Sequence, residues 1–84
     1  MDEQAITRMI QHGLPGSEVS VSGDGRHFEA VVIAAAFAGR SMLEQHRMVY
    51  ATLGDSFRTD ALHALSLKTY TPEQWQAASV GRPA

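Results

Sequence analysis

The chain has 84 residues, of which 44% are hydrophobic, and seven basic against nine acidic side chains give a net charge of −2. This length suits one domain with a modest core, and no apolar run approaches the roughly 20 residues that span a bilayer. The absence of cysteine excludes disulfides, a thiol nucleophile and any thiolate metal site made by this chain alone. Since the N-terminus is acidic and unlike a secretory leader, we expect a cytoplasmic protein.

The first predicted element is a helix over Asp2–His12, with one apolar face formed by Ile6, Met9 and Ile10. Gly13 is placed to end this helix as a glycine at the C′ position, and Pro15 prevents its continuation. The segment Gly13–Gly16 also has the GxxG pattern of a nucleic-acid clamp loop, although a helix stop and turn is the more ordinary interpretation.

Two strands joined by a tight hairpin follow. The alternation in Glu18–Ser22 predicts a strand, and Gly23 to Gly25 predicts a loop whose glycines supply positive φ angles. The second strand is predicted over Arg26–Ala35. Its apolar residues lie on both faces, which indicates a central strand: Phe28, Ala30 and Val32 on one side, Val31 and Ile33 on the other.

A second helix is predicted to begin at the capping box formed by Ser41 and Glu44. A stripe at steps of three and four continues through Gly54, so we expect one helix to about Phe57; the alternative ends it at Gly54. The predicted buried stripe consists of Leu43, His46, Tyr50, Leu53 and Phe57, with Met42 and Val49 beside it.

The most informative stretch is His63 to Trp75. Leu65 and Leu67 alternate with polar residues, which predicts a third strand opened by His63. Thr71 can then cap a last helix that starts at Pro72, with Gln74 returning the bond to the cap. Tyr70 and Trp75 occupy the two positions of a hydrophobic staple across that cap.

These elements predict a single α+β domain over residues 1–79, with a flexible tail over 80–84. The first two strands form an antiparallel hairpin. A helical crossover joins the second and third strands, so these two are expected to be parallel. The predicted fold is a three-stranded mixed sheet packed against helices.

Histidine is the residue type that carries most of the chemical interest. No nucleophile elbow, phosphate loop or paired-carboxylate motif is visible, so we expect that the protein is not an enzyme. His27 opens the second strand and His63 opens the third. Because the starts of adjacent parallel strands lie at one sheet edge, about 4.8 Å apart, the two imidazoles are expected to be close. Two histidines make half of a metal site, although paired histidines also occur as ordinary polar residues at strand ends.

The long helix has a second candidate surface. It has a basic side that nucleic acid could contact, formed by Arg40, His46 and Arg47, with Arg58 further along the chain. The ordinary interpretation is a solvated face on which Glu44 and Arg47 form a weak i,i+3 pair.

Three motifs in this order and spacing resemble the BolA family: Phe37-Ala-Gly39, His46-Arg-Met-Val-Tyr50, and the HALSLKTYTPEQW stretch from His63 to Trp75. The short hairpin from Val21 to Phe28 resembles the IbaG-like bacterial branch of that family. The resemblance covers about residues 3 to 78. It implies an αββαβα fold related to class II KH domains.

The resemblance also implies a partner, a monothiol glutaredoxin of the CGFS type. In that family the two proteins share a [2Fe–2S] cluster, with ligands from the glutaredoxin cysteine, glutathione and a BolA-side histidine. The histidine that begins the H-A-L-S motif is the recurrent ligand and corresponds to His63. The second ligand is usually a His or Cys in the loop between the first two strands. This short loop has neither, so His27 at its end is the nearest candidate, and the isolated chain is expected to hold no cluster.

Two other functions remain open. Some BolA proteins are DNA-binding regulators, for which Arg40, His46, Arg47 and Arg58 would be the contacts. The segment corresponding to the KH clamp loop, Ala38–Ser41, has a single glycine, and the net charge is acidic. A metal-free interaction module is the third function. Homodimer formation is also left open.

Overall fold

Within the part of the chain that the structure describes, three α-helices and the strands of a three-stranded sheet follow one another in the predicted order. The structure is a computed structural model that describes residues 3–24, 26–54 and 65–80. Its elements are α1 (Glu3–Gly13), β1 (Glu18–Gly23), β2 (Phe28–Ile33), a 3₁₀ turn (Ala35–Phe37), α2 (Met42–Leu53), β3 (Leu65–Tyr70) and α3 (Pro72–Val80). This arrangement confirms the α+β prediction. Within the described ranges, no helix combines the length and the apolarity needed to cross a membrane.

The sheet has the strand order β1-β2-β3. β1 and β2 are antiparallel, with Gly23 opposite Phe28, whereas β2 and β3 are parallel, with Phe28 opposite Leu65 and Ile33 opposite Tyr70. The prediction that β2 is central, which rested on its apolar residues on both faces, is therefore confirmed. The first residues of β2 and β3 lie side by side at one end of the sheet.

The hydrophobic core lies on one face of the sheet, beneath α1 and α2. Every second residue of β2 points into it, as the period of a strand requires. Among the described residues, its largest fully buried side chain is Phe37, from the 3₁₀ turn that leads out of β2. The other fully or almost fully buried members come from α1, from β2 and the residue that follows it, from α2 and from β3: Ile6, Ile10, Phe28, Ala30, Val32, Ala34, Val49, Leu53 and Leu65.

The junction between β3 and α3 follows the sequence prediction closely. The Gln74 backbone N–H donates to Thr71 Oγ1 over 3.1 Å, and the Thr71 backbone N–H donates to Gln74 Oε1 over 2.9 Å. Both bonds of the predicted capping box are thus present. The rings of Tyr70 and Trp75 meet edge to face with centroids 5.2 Å apart, which confirms the predicted staple.

The end of α1 differs from its prediction. Gly13 is the last helical residue and does not have a positive φ; the left-handed glycine of this turn is Gly16, with φ 84°. Gly13 meets a different requirement, because a Cβ placed on it would lie 2.5 Å from Thr52 Cγ2. The absence of a side chain at Gly13 therefore permits α1 and α2 to approach closely.

The two ends of α2 test the prediction separately. Ser41 and Glu44 form the predicted capping box, with the Glu44 N–H donating to Ser41 Oγ over 3.2 Å. At the other end, Gly54 has φ 54° and ψ −138°, outside the helical region. The prediction of a helix through Gly54 to Phe57 is therefore wrong, and the alternative that ends it at Gly54 is confirmed. Phe57 itself lies outside the described residues.

The buried face of α2 is also rotated from the predicted stripe. Met42 and Leu43 are 70% and 59% exposed, whereas Gln45 is only 6% exposed. The Gln45 amide donates to the Arg40 carbonyl over 2.9 Å and accepts from Thr69 Oγ1 over 2.7 Å. Because both the nitrogen and the oxygen of its amide are hydrogen-bonded, Gln45 can be buried. The predicted buried stripe of this helix contained apolar residues and His46 but not Gln45.

Candidate functional site

The candidate site is the end of the sheet formed by the N-terminal ends of the parallel strands β2 and β3. His27 directly precedes β2 and is exposed. Its backbone is held on both sides by Asp24: the His27 N–H donates to Asp24 Oδ1 over 2.8 Å, and the His27 carbonyl accepts from the Asp24 N–H over 3.2 Å. The Arg26 N–H donates to the same carboxylate oxygen over 2.9 Å. The loop therefore fixes the backbone of the candidate ligand while leaving its imidazole in solvent.

The geometry of this loop corrects one prediction. Gly23 was expected to supply a positive φ angle, but it belongs to β1 and is not among the described glycines with positive φ. Gly25 lies outside the described residues. The turn is closed instead by the Asp24 side chain, which bonds the backbone two and three residues further on. Gly23 is required for space, because a Cβ there would lie 2.5 Å from the His27 carbonyl oxygen and 2.7 Å from Phe28 Cδ1.

The electrostatics of the loop follow from those hydrogen bonds. The pKa of Asp24 is lowered, first by the backbone N–H of His27 and second by that of Arg26, since both stabilise the ionised carboxylate. Slight desolvation opposes this shift, and the charge of a protonated His27 adds to it. Asp24 is therefore an anionic acceptor under neutral conditions.

His63, the other predicted ligand, lies outside the described residues, as do all residues from 55 to 64. The parallel pairing on which its placement rested is confirmed, because Phe28 is opposite Leu65. The closeness of the two imidazoles remains a prediction. Among the residues that are described, no group of three or more His, Asp or Glu side chains comes together to hold a metal ion.

The candidate basic surface on α2 is only partly visible. Arg47 is exposed, His46 is half-buried, and Arg58 lies outside the described residues. Arg40 Nη1 is 3.5 Å from Glu44 Oε2, so Glu44 pairs with Arg40 and the predicted Glu44–Arg47 pair is wrong. Glu44 also accepts bonds from Ser41, which are the largest cause of its lowered pKa. Because Glu44 serves both as cap and as ion-pair partner, part of the positive charge of this surface is compensated.

The roles of two polar residues, Asp24 at the candidate site and Gln45 near the other end of β3, were not predicted from the sequence. Asp24 directly follows the last residue of β1 and precedes a glycine, which is the ordinary sequence signal of a side-chain-closed turn. Gln45 has no comparable signal, since an amide within an amphipathic helix is ordinarily assigned to the solvent side.

Comparison with known proteins gives the class of this chain. A model of the BolA-like protein family matches residues 7–74, so the chain belongs to the BolA family. It is 35% identical over 75 residues to the acid stress protein IbaG of Escherichia coli K12, covering 89% of both chains. It is 33% identical to the DNA-binding transcriptional regulator BolA of the same organism, covering 87% of this chain and 63% of that protein.

The solved structures agree with the fold. The structure of a BolA protein homologue from Coxiella burnetii superposes with a TM-score of 0.77 at 47% sequence identity, covering 90% of this chain and 97% of that one. The expected BolA-like fold is therefore confirmed.

Proposed function

We propose that this BolA family member is a non-enzymatic partner of a monothiol glutaredoxin of the CGFS type. In this proposal the two proteins share a [2Fe–2S] cluster with glutathione, and the complex serves iron–sulfur cluster assembly, delivery or sensing. This chain contributes imidazole ligands, His63 first and His27 second. Imidazole can replace thiolate on one iron of such a cluster and raises its reduction potential.

The observation that carries the proposal is the parallel register of β2 and β3. Phe28 and Leu65 are opposite each other, and His27 directly precedes Phe28. His63 is two residues before Leu65 in the sequence. The two histidines therefore precede a pair of opposite strand residues by one and two positions in the sequence. This supports two histidines presented from one edge of the sheet.

The donor set supports the same proposal. The whole sequence contains no cysteine, so any thiolate ligand has to come from another molecule. His27 is exposed, and its backbone hydrogen bonds are satisfied within the loop, so a partner can approach the imidazole without disrupting the turn. Metal binding requires a deprotonated imidazole, so the shared complex is expected to weaken as the pH falls.

The test is to mix the protein with a CGFS glutaredoxin, glutathione and cluster under anaerobic, reducing conditions. We expect a heteromeric complex on sizing and a visible spectrum that differs from that of the glutaredoxin alone. His63→Ala should abolish the spectral change and His27→Ala should alter it. His12→Ala is the matched control, because His12 is an exposed histidine at the end of α1, a different element. A wild-type protein that neither changes the spectrum nor co-elutes contradicts the proposal.

A second function is favoured by a different observation. Two relatives, from Escherichia coli at 33% identity and from Vibrio cholerae at 36%, are named DNA-binding transcriptional regulator BolA. For this chain the contacts would be Arg40, Arg47 and His46, with Arg58. The pairing of Arg40 with Glu44 and the net charge of −2 argue against strong phosphate binding. A duplex titration at two salt concentrations separates the two functions, because DNA binding through phosphates weakens steeply with salt.

A further inference from the structure

We infer that Asp24 is a positioning residue for His27. Together with Gly23, it fixes the backbone at residue 27, so that the Cα–Cβ bond of this exposed histidine has one direction before a partner binds. This inference rests on the proposed function, since it concerns the ligand role assigned to His27 there. It adds a residue that touches neither iron nor partner in the proposal.

The hydrogen bonds around Asp24 restrain His27 from both ends of its backbone. The His27 N–H and carbonyl are both bonded to Asp24, at 2.8 and 3.2 Å, and the Arg26 N–H joins the same carboxylate oxygen at 2.9 Å. With the backbone restrained, the direction of the Cα–Cβ bond of His27 is set. Only the side-chain torsions of the imidazole then remain to be ordered when a ligand bond forms.

Packing against Gly23 restrains the same residue from the other side. The space that a Cβ on Gly23 would need is filled by the His27 carbonyl oxygen at 2.5 Å and by Phe28 Cδ1 at 2.7 Å. Phe28 is itself a core residue with 9% exposure. His27 therefore lies between a hydrogen-bonded turn and a side chain anchored in the core. A short loop of this kind presents its ligand with little entropy left to lose.

The inference predicts a specific effect of Asp24→Ala. Removing the carboxylate frees the Arg26 and His27 amides, and ordering the backbone of one residue on binding should then weaken affinity for the cluster-loaded glutaredoxin roughly five- to thirtyfold. Asp24→Asn keeps an oxygen acceptor at the same place and should stay within about threefold of wild type. Thr71→Ala is the matched control, because it removes a capping acceptor of Gln74 at the opposite end of β3.

Two measurements test this inference. The first is amide hydrogen exchange at Arg26 and His27 in the protein alone, which needs no cluster. The second is a titration of each variant against the glutaredoxin, glutathione and cluster complex, followed by the visible spectrum at a temperature at which circular dichroism shows every variant folded. We expect faster exchange and weaker binding for Asp24→Ala, with recovery in Asp24→Asn. Thr71→Ala should lower stability without changing affinity, which separates positioning from general stabilisation.

Other results would overturn the inference. Unchanged exchange at both amides in Asp24→Ala would show that the carboxylate does not order the loop. Normal affinity of Asp24→Ala beside weakened His27→Ala would remove the positioning role and leave the proposed function standing. Normal affinity and spectrum of His27→Ala beside a defective His63→Ala would remove His27 as ligand, and the role of Asp24 with it. No complex with the wild-type protein would contradict the proposed function itself.

Discussion

The buried amide of Gln45 offers a quantitative test of how the fold is held together. Its Nε2 donates to the carbonyls of Arg40 and Phe37, at 2.9 and 3.4 Å, and its Oε1 accepts from Thr69 Oγ1 at 2.7 Å. One side chain of α2 thereby joins the connection that precedes the helix to β3. Replacing Gln45 by leucine keeps most of the volume and removes all three bonds.

The expected loss of stability follows from the polar groups left behind. A buried group without a partner costs about 1–3 kcal/mol. The two short bonds are at partly buried positions and the 3.4 Å contact is weak, so we expect a gross loss of about 2–4 kcal/mol. Burial of the leucine side chain and its better helix propensity offset about 1 kcal/mol of this loss. The expected net decrease in the free energy of unfolding is therefore about 1–3 kcal/mol. A domain of this size has about 4–13 kcal/mol in total, so the effect is large.

Urea denaturation followed by circular dichroism measures this loss. With a slope of about 1 kcal/mol/M, the midpoint for Gln45→Leu should fall by about 1–3 M. Gln11→Leu, on the exposed side of α1, is the matched control and should change stability by less than about 0.5 kcal/mol. Thr69→Val completes a double-mutant cycle with an expected coupling of about 1 kcal/mol. A midpoint for Gln45→Leu equal to or above that of the wild type, at the same slope, would refute this account.

Three further predictions concern single contacts. The folded-state pKa of Asp24 is lowered from 3.8, so the hydrogen bonds of its carboxylate stabilise the fold above the ordinary pKa. This stabilisation is lost as the pH falls through the folded-state pKa. An NMR titration of the carboxyl group should show the lowered pKa, and a value at or above 3.8 would contradict the prediction. Gly13→Ala should destabilise by about 1–3 kcal/mol in thermal unfolding, despite the better helix propensity of alanine, because the new methyl meets Thr52; an increase in melting temperature would show that the helices can separate freely. Thr71→Ala should lower the unfolding free energy by about 0.5–2 kcal/mol through loss of the cap, and unchanged stability would mean that the cap bond is replaced by water.

The features that the sequence predicted correctly depend on residues close together in the chain. The capping boxes at Ser41 and Thr71 join residues three apart, so their chemistry is complete within one turn. The strands followed from alternation, and the central position of β2 followed from its two apolar faces. The parallel pairing of β2 with β3 followed from the helical crossover between them.

The features that were missed depend on contacts between distant residues. The buried face of α2 is set by Gln45, whose partner Thr69 lies on another element, and hydropathy cannot show that its amide is satisfied. Gly13 was assigned a conformational role, but its requirement comes from the approach of Thr52. At the candidate site, the edge on which β2 and β3 begin was predicted, while the restraint on His27 by Asp24 was not.

The parallel pairing of β2 with β3 also orders the events of biosynthesis. The antiparallel hairpin of β1 and β2 is complete as soon as Ile33 has been made, whereas the parallel partner of β2 starts only at Leu65. While the ribosome synthesises the intervening segment, β2 is an edge strand of the nascent hairpin. The backbone N–H and C=O groups that will later pair with β3 have no strand partner at this stage. Such a bare edge recruits other strands. A chain arrested before Leu65 is therefore expected to aggregate. Once β3 has been synthesised and pairs with β2, this edge is covered and the nascent protein is protected from aggregation.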